Sequence, residues 1–300
     1  YTSVIMATSY PIRKRITALK ESYDRLRLGK ESLLRIIDEA ELSESVYNSN
    51  AIENSTLTLK ETEKILMEMK VSRDVSLREV FDTKNLARVI DYIRTKKEEI
   101  SEEKILLWHK MLLGNIDDDI AGRFCGPNEF VRVGTYIAPP PEHLGRLMEQ
   151  AIIAYTSDHE TYFADKIARF HLDLKIIHPF NDGNGRIGRV IINYQLSQLG
   201  FPGIIIRDKE KRSYYQSFVE YRDTKKTKRM EHVLTLGLAE SLHKRTAYLK
   251  GNTIVSLADY AKESDKSLST LLNAARRQTV PAFREKGVWK IGREYTKSDA

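Results

Sequence analysis

The segment His178 to Arg189, HPFNDGNGRIGR, constrains this chain more than any other stretch. It lies between two runs of helical apolar periodicity. Phe163, Ile167, Phe170, Leu174 and Ile177 precede it; Ile187, Val190, Ile191 and Tyr194 follow. A joint between two helices needs one glycine, and this one carries Gly183, Gly185 and Gly188, which permit positive φ and close backbone approach. A glycine-rich turn feeding a helix N-terminus gathers several N–H groups and the positive end of the helix dipole at one place, which suits a phosphate. Arg186 and Arg189 are three apart, so they share a helix face and can reach the same anion. Asp182 is an oxygen ligand beside that anion, of the kind Mg²⁺ takes alongside phosphate oxygens. His178, at the end of the preceding helix, is placed to accept a proton from an attacking hydroxyl. Phe180, bracketed by polar residues, reads as an apolar pin docking the loop on the core. The Walker A pattern is absent. Any one of these residues alone would read as ordinary helix–turn–helix chemistry; together they read as a functional phosphate-binding site.

The rest of the chain reads as mainly helical. Residues 16–47 and 58–70 are amphipathic, with Thr58 and Glu61 forming a capping box. Ser76 and Glu79 open a helix to about residue 98, and another spans 102–114. From Ala121 to Pro141 glycines, prolines and the alternating run FVRVGTYIAPPP predict a short hairpin or flap. Asp208 to Lys250 reads as helix with Asp208 as N-cap, stopping at Gly251-Asn252. The single cysteine, Cys125, excludes an intrachain disulfide, and the lack of a signal peptide or long apolar run points to a soluble cytoplasmic protein. A net charge of +7 leans toward anionic partners, but 30% charged residues of both signs is mostly solvated surface.

His178-Pro179-Phe180-Asn181-Asp182-Gly183-Asn184-Gly185-Arg186 matches the motif HPFx[DE]GN[GK]R of the Fic family at every position, with Arg189 as the further arginine. Ala121-Gly122-Arg123 and VRVGTYIAPP resemble that family's target-clamping flap, and Tyr214-Tyr215 is similar to its tyrosine pair near the nucleotide base. The chain departs from many relatives at Cys125, where they carry an arginine. The resemblance implies a Fic-type helical bundle with a β-hairpin flap and transfer of AMP from ATP to a Ser, Thr or Tyr hydroxyl of a protein. His178 would be the general base, and Asp182 would hold Mg²⁺. Asn184 with the Gly183 and Gly185 amides would cradle the α-phosphate. Arg186 and Arg189 would bind the β- and γ-phosphates, and Val131, Arg132, Val133 and Gly134 would line the nucleotide and target groove. His171 reads as a packed or capping residue outside the site.

Two further segments take meaning from that resemblance. Ser49-Asn50-Ala51-Ile52-Glu53-Asn54 fits the family's inhibitory motif, [ST]xxxE[GN], which pairs Glu53 with Arg189 and blocks the productive γ-phosphate pose. In some relatives the same glutamate positions water to remove AMP. The C-terminal segment resembles a winged helix-turn-helix of excisionase or MerR type, with Ala261 in the first helix, Ser267, Thr270 and Leu271 opening a recognition helix, and Lys286 to Lys290 as wing tip. Asp265 and Lys266 stand where that type has a glycine and an apolar residue. Across residues 267–297 seven lysines and arginines oppose two glutamates, which suits DNA phosphates. The expected domains are 1–99, 100–250 and 253–300, with homodimerisation through the helical surface as a further expectation. The competing readings are AMP removal or transfer of another phosphate-containing group on the same fold, and a DNA-binding regulator with a nucleotide-sensing core.

Overall fold

The computed structural model describes residues 8–71 and 74–296. Helices dominate from the start. α1 (Tyr10–Arg27) and α2 (Glu31–Ile52) are separated by Gly29 at φ 71°, so the amphipathic stretch 16–47 forms parts of two helices rather than one rod. α3 (Leu59–Glu63) opens with the expected capping box, Thr58 accepting from the Glu61 amide while the Glu61 carboxylate takes the Thr58 N–H, and it runs into one π-helical turn, Lys64–Glu68. α4 (Leu77–Arg94) is capped by Ser76 and α5 (Glu102–Leu113) by Ser101. The flap is a minimal hairpin of β1 (Arg132–Val133) and β2 (Tyr136–Ile137). α6 (Pro141–Thr156), α7 (Phe163–Ile177) and α8 (Asn184–Gln198) follow.

The expected helix over 208–250 is three pieces: a 3₁₀ turn at Asp208–Glu210, α9 (Lys211–Thr224) and α10 (Lys228–Leu249). Lys225, at φ 57°, ends α9, and no side chain caps it at its start, so the expected cap at Asp208 is not formed. Charged periodicity continues across that break, which hid it from sequence reading. The chain ends in β3 (Ile254–Ser256), α11 (Leu257–Glu263), α12 (Leu268–Arg276), β4 (Phe283–Glu285) and β5 (Val288–Gly292), with antiparallel sheet order β3-β5-β4. The turn between α11 and α12 is made by Asp265 at φ 50°, a residue whose short polar side chain tolerates the left-handed region.

α7 and α8 divide the main body into two cores. α7 turns Phe170, Leu174 and Ile177 toward α4, α5 and α6, and Ile167, Ala168 and Leu172 toward α1, α9 and α10. A helix apolar on two faces belongs in the middle of a bundle, so the loop joining α7 to α8 is rooted in the most buried part of the fold. Leu257, Tyr260, Leu271, Ala275 and Ile291 form a separate C-terminal core. Among the described residues no helix is long and apolar enough to cross a membrane.

Candidate active site

His178 ends α7. Its backbone is left-handed, at φ 50° and ψ 59°, and its N–H donates to the Leu174 carbonyl at 2.9 Å. A non-glycine residue held there stores strain that the surroundings must offset. The offset comes from a loop fastened at each step. The Pro179 carbonyl accepts from the Cys125 amide at 2.9 Å. Phe180 is fully buried and stacks on the His109 ring at 3.8 Å, as an apolar pin should. Gly122 N donates to His109 Nδ1 at 3.0 Å, which leaves Nε2 to donate to the Asp182 carbonyl at 3.0 Å. Burial lowers the His109 pKa to about 4, so this imidazole is a neutral strut. No local pattern on α5 marked it.

Asn184 works inside the loop. Its Oδ1 accepts from Phe180 N at 3.1 Å and its Nδ2 donates to Phe180 O at 2.6 Å, and the side chain is 3% exposed as a whole residue. Both polar ends thus bond loop backbone, tying the loop to the first turn of α8. That turn starts after Gly183, at φ 81°, and helix geometry leaves its N–H groups without intrahelical partners. Gly188 is needed for a different reason. A Cβ there would lie 2.6 Å from Cε1 of His171, whose ring is buried between α7 and α8 and bonds Tyr214 Oη at 2.8 Å. Burial drives the His171 pKa to about 3, in keeping with a packed residue.

The two arginines share a face but part at their tips. Arg186 bonds Asp82 of α4 and reaches Asp182 Oδ1 at 3.1 Å, and Asp182 also bonds Arg78. Burial pushes the Asp182 pKa up, but Arg186, the Gly183 amide and Arg78 outweigh it, and the carboxylate stays ionised. Arg189 turns the other way. Its Nε donates to Ser49 Oγ at 2.8 Å, and its Nη2 donates to Ser49 O at 2.8 Å and to Glu53 Oε1 at 2.9 Å. The expected pair between Glu53 and Arg189 is present, at the end of α2. Asn54 follows at φ 71° and accepts from Lys211 Nζ at 2.7 Å.

Glu53 does more than occupy an arginine. A Cβ on Gly185 would lie 1.8 Å from Glu53 Oε1, so the carboxylate lies against the first turn of α8, where an anion would be received. Beside it is a cavity of about 90 Å³ lined by Lys175, His178, Asp182, Gly185 and Arg186, among others. His178 Nδ1 and Arg186 Nε are buried there without a hydrogen-bond partner among the described residues. Burial, then Lys175, lowers the His178 pKa to about 4, which makes the imidazole neutral and able to accept a proton. Lys175 is itself lowered to about 8 by burial, although Glu53 opposes the shift. Lys175, Arg78 and Asp82 were not singled out from the sequence; each reads locally as a solvated charge.

Tyr214 is 1% exposed, behind Arg189, with its hydroxyl facing Arg189 Nη1 at 3.4 Å and His171. It thus backs the arginine instead of lining an open groove, and Tyr215 is the more exposed of the pair. Arg132, Val133 and Gly134 are exposed on the flap and Val131 is half-buried. Tyr136 donates from its hydroxyl to the Ile176 carbonyl at 2.9 Å, tying the hairpin to the end of α7 two residues before His178.

Residues 99–196 match the Fic/DOC family model. Protein adenylyltransferase fic-1 of Caenorhabditis elegans is 28% identical over 290 residues, covering 93% of this chain and 53% of that protein. Protein adenylyltransferase Fic of Nematostella vectensis is 32% identical over 197 residues, covering 63% and 45%. The chain thus spans about half the length of the curated relatives it matches. Among solved structures, residues 134–508 of C. elegans Fic-1 superpose with a TM-score of 0.68 at 25% identity, covering 80% of this chain and 73% of that one. A Fic domain containing signaling protein from Bacteroides thetaiotaomicron gives a TM-score of 0.71 at 24% identity, over 79% and 97%. The loop from His178 to Arg189, the flap above it and the helices that root it are the centre of a Fic/DOC family domain.

Proposed function

We propose that the chain transfers AMP from ATP to a Ser, Thr or Tyr hydroxyl of a protein, and that this structure is its inhibited state. The observation that carries the reading is a carboxylate, Glu53, lodged against an anion-receiving helix N-terminus between Arg189 and a histidine with a free ring nitrogen. The target oxygen attacks the α-phosphorus and the bond from that phosphorus to the bridging oxygen breaks. Pyrophosphate leaves, and His178 takes the hydroxyl proton. The amides of the first turn of α8 receive the α-phosphate, and Arg186 and Arg189 take the outer phosphates. The exposed flap would align a target segment by strand addition.

Asp182 fits a Mg²⁺ ion carried on the phosphates. Its carboxylate is ionised and its side chain is 35% exposed at the cavity, and such an ion asks for one or two carboxylates plus phosphate oxygens. The ion would neutralise charge that builds up on the phosphate oxygens.

Intact mass measurement after incubation with Mg²⁺ and ATP tests the reading on wild type, Glu53→Gly, and Glu53→Gly with His178→Ala. A gain of one AMP in the Glu53→Gly protein alone is expected, and loss of the base should slow transfer by about 10²–10⁴. The absence of label from a nucleotide-bound Glu53→Gly protein and from every candidate target would overturn it. AMP removal is the second reading, favoured by the carboxylate of Glu53 reaching the same cavity, where it could orient water. Loss of label from an adenylylated target would reveal it. DNA contact is a separate proposal: α12 exposes Ser269, Thr270, Asn273 and Arg276, with Arg277 beside them. Affinity for duplex DNA that ignored salt would remove it.

A further inference from the structure

The expected wing tip, between β4 and β5, is not free. Lys286 and Gly287 have φ of 49° and 80°, and two successive left-handed residues turn their amides toward one point. At that point is the carboxylate of Glu44, on α2. Lys286 N reaches Glu44 Oε2 at 3.1 Å and Gly287 N reaches Oε1 at 3.3 Å. Arg207 bonds the same carboxylate and also reaches Glu240 Oε1 at 3.0 Å. Glu240, on α10, is gripped by Arg284 of β4 through backbone N at 3.0 Å, Nε at 3.0 Å and Nη2 at 2.6 Å. Glu44, Arg207 and Glu240 are each under 10% exposed. Buried charges of this kind are stable only with their partners in place.

Neighbouring contacts extend the attachment along α2. Lys244 of α10 bridges Glu41 at 3.1 Å and Glu285 of β4 at 3.2 Å, and Asn48 Oδ1 accepts from Asp208 N at 3.0 Å. Glu44 is nine residues upstream of Glu53 on one continuous helix, roughly 13 Å along its axis. The β4–β5 turn therefore anchors the same rod whose last turn carries Ser49 and Glu53 to Arg189.

We infer that Glu44 is a positioning residue for inhibition: the C-terminal unit, by holding Glu44, sets where Glu53 sits, and release of the β4–β5 turn releases Arg189. This rests on the adenylyltransferase reading for its consequence in activity, but the attachment itself can be measured without it. A purely structural salt-bridge network would do something different. Its loss would lower stability and activity alike, whether or not Glu53 is present.

The experiment is a cycle on the full chain: Glu44→Gln, Glu53→Gly and both together, with Arg284→Gln as a second route to the same network. AMP incorporation and deuterium uptake by peptides covering residues 45–53 are read on each. Glu44→Gln should raise AMP incorporation at least about fivefold, the low end of ordinary coupling between sites. It should give no further rise in the Glu53→Gly background, and it should speed exchange in residues 45–53. Arg284→Gln should do the same. Unchanged exchange in residues 45–53 in both variants overturns the inference, whatever the activity. So does a rise of equal size with and without Glu53. An inactive Glu53→Gly protein would sink the transferase reading instead, and the exchange data would still decide whether Glu44 holds the helix.

Discussion

Replacing Glu53 by glycine should change ATP affinity by an amount that the geometry bounds. Arg189 donates three short hydrogen bonds, two to Ser49 and one to Glu53. Glycine leaves the two to Ser49, so the guanidinium stays oriented while its counter-charge goes. A hydrogen bond between charged groups contributes about 1.5–3 kcal/mol. The Glu53 side chain is 31% exposed, so solvent screening places it near the lower end, about 1.5–2 kcal/mol. ATP must displace that carboxylate from Arg189 and from the first turn of α8. Its removal should tighten ATP binding by roughly 10–30-fold. The backbone loses little: Glu53 has φ −90° and ψ 20°, which any residue adopts, so glycine adds about 0.5–1 kcal/mol of chain entropy. Calorimetric titration of ATP into the two proteins, with Mg²⁺, checks the figure. Glu53→Gln, which keeps the shape and drops the charge, should fall between them. Equal ATP affinity in wild type and Glu53→Gly, with both folded, would refute the claim that Glu53 competes with a phosphate.

The acid–base groups make a second forecast. With the His178 pKa at about 4, and lower once Glu53 is removed because Glu53 raises it, kcat/KM of Glu53→Gly should be flat from pH 5 to 7; an inflection near the ordinary value of about 6.5 would contradict it. Glu53 itself is held below its usual range, since Arg189 and Lys175 outweigh its burial. Its restraint on Arg189 should therefore be complete at neutral pH and be lost only as acid takes it below about 4.3, through its lowered folded value, which the pH dependence of the wild-type to Glu53→Gly activity ratio would show. Gly188→Ala places a methyl 2.6 Å from the buried His171 ring and should cost about 1–3 kcal/mol in urea unfolding, with an unchanged midpoint the contrary result. Cys125 is buried, with its thiol pushed up to about 11, so the native protein should resist alkylation at pH 8 and react once unfolded.

Local chemistry was legible where it acts locally. The capping box at Thr58, the cap at Ser76, the flap hairpin and the stripes of α7 and α8 depend on neighbours within a few residues, and their positions follow from residue type and period. The same is true of the loop from His178 to Arg189, because glycine torsions and a helix N-terminus are properties of a short segment. The division of residues 16–47 at Gly29 was also written in the sequence, in a single glycine. The break at Lys225 was not, since a left-handed lysine has no residue signature and the α9–α10 corner is imposed by packing.

The site's charges belong to the tertiary structure. Asp82 and Arg186 are 104 residues apart and Arg189 and Glu53 are 136 apart, so nothing in the local pattern of either partner announces the other. The Glu53 pair could be expected only because a family motif tied two distant segments together. Lys175, Arg78, His109 and Glu44 had no such link and read as surface or core residues until the helices met. Tyr214 shows the converse: its place beside Tyr215 was plain, but whether its hydroxyl faced a groove or backed an arginine was settled by how α9 packs on α7. The sequence by itself determined a glycine-rich turn feeding a helix N-terminus and the rods around it, because backbone torsion and apolar period are local. The tertiary structure alone decided which carboxylate fills that turn and which unit holds the helix that carries it, because ion pairing depends on distance in space and not along the chain.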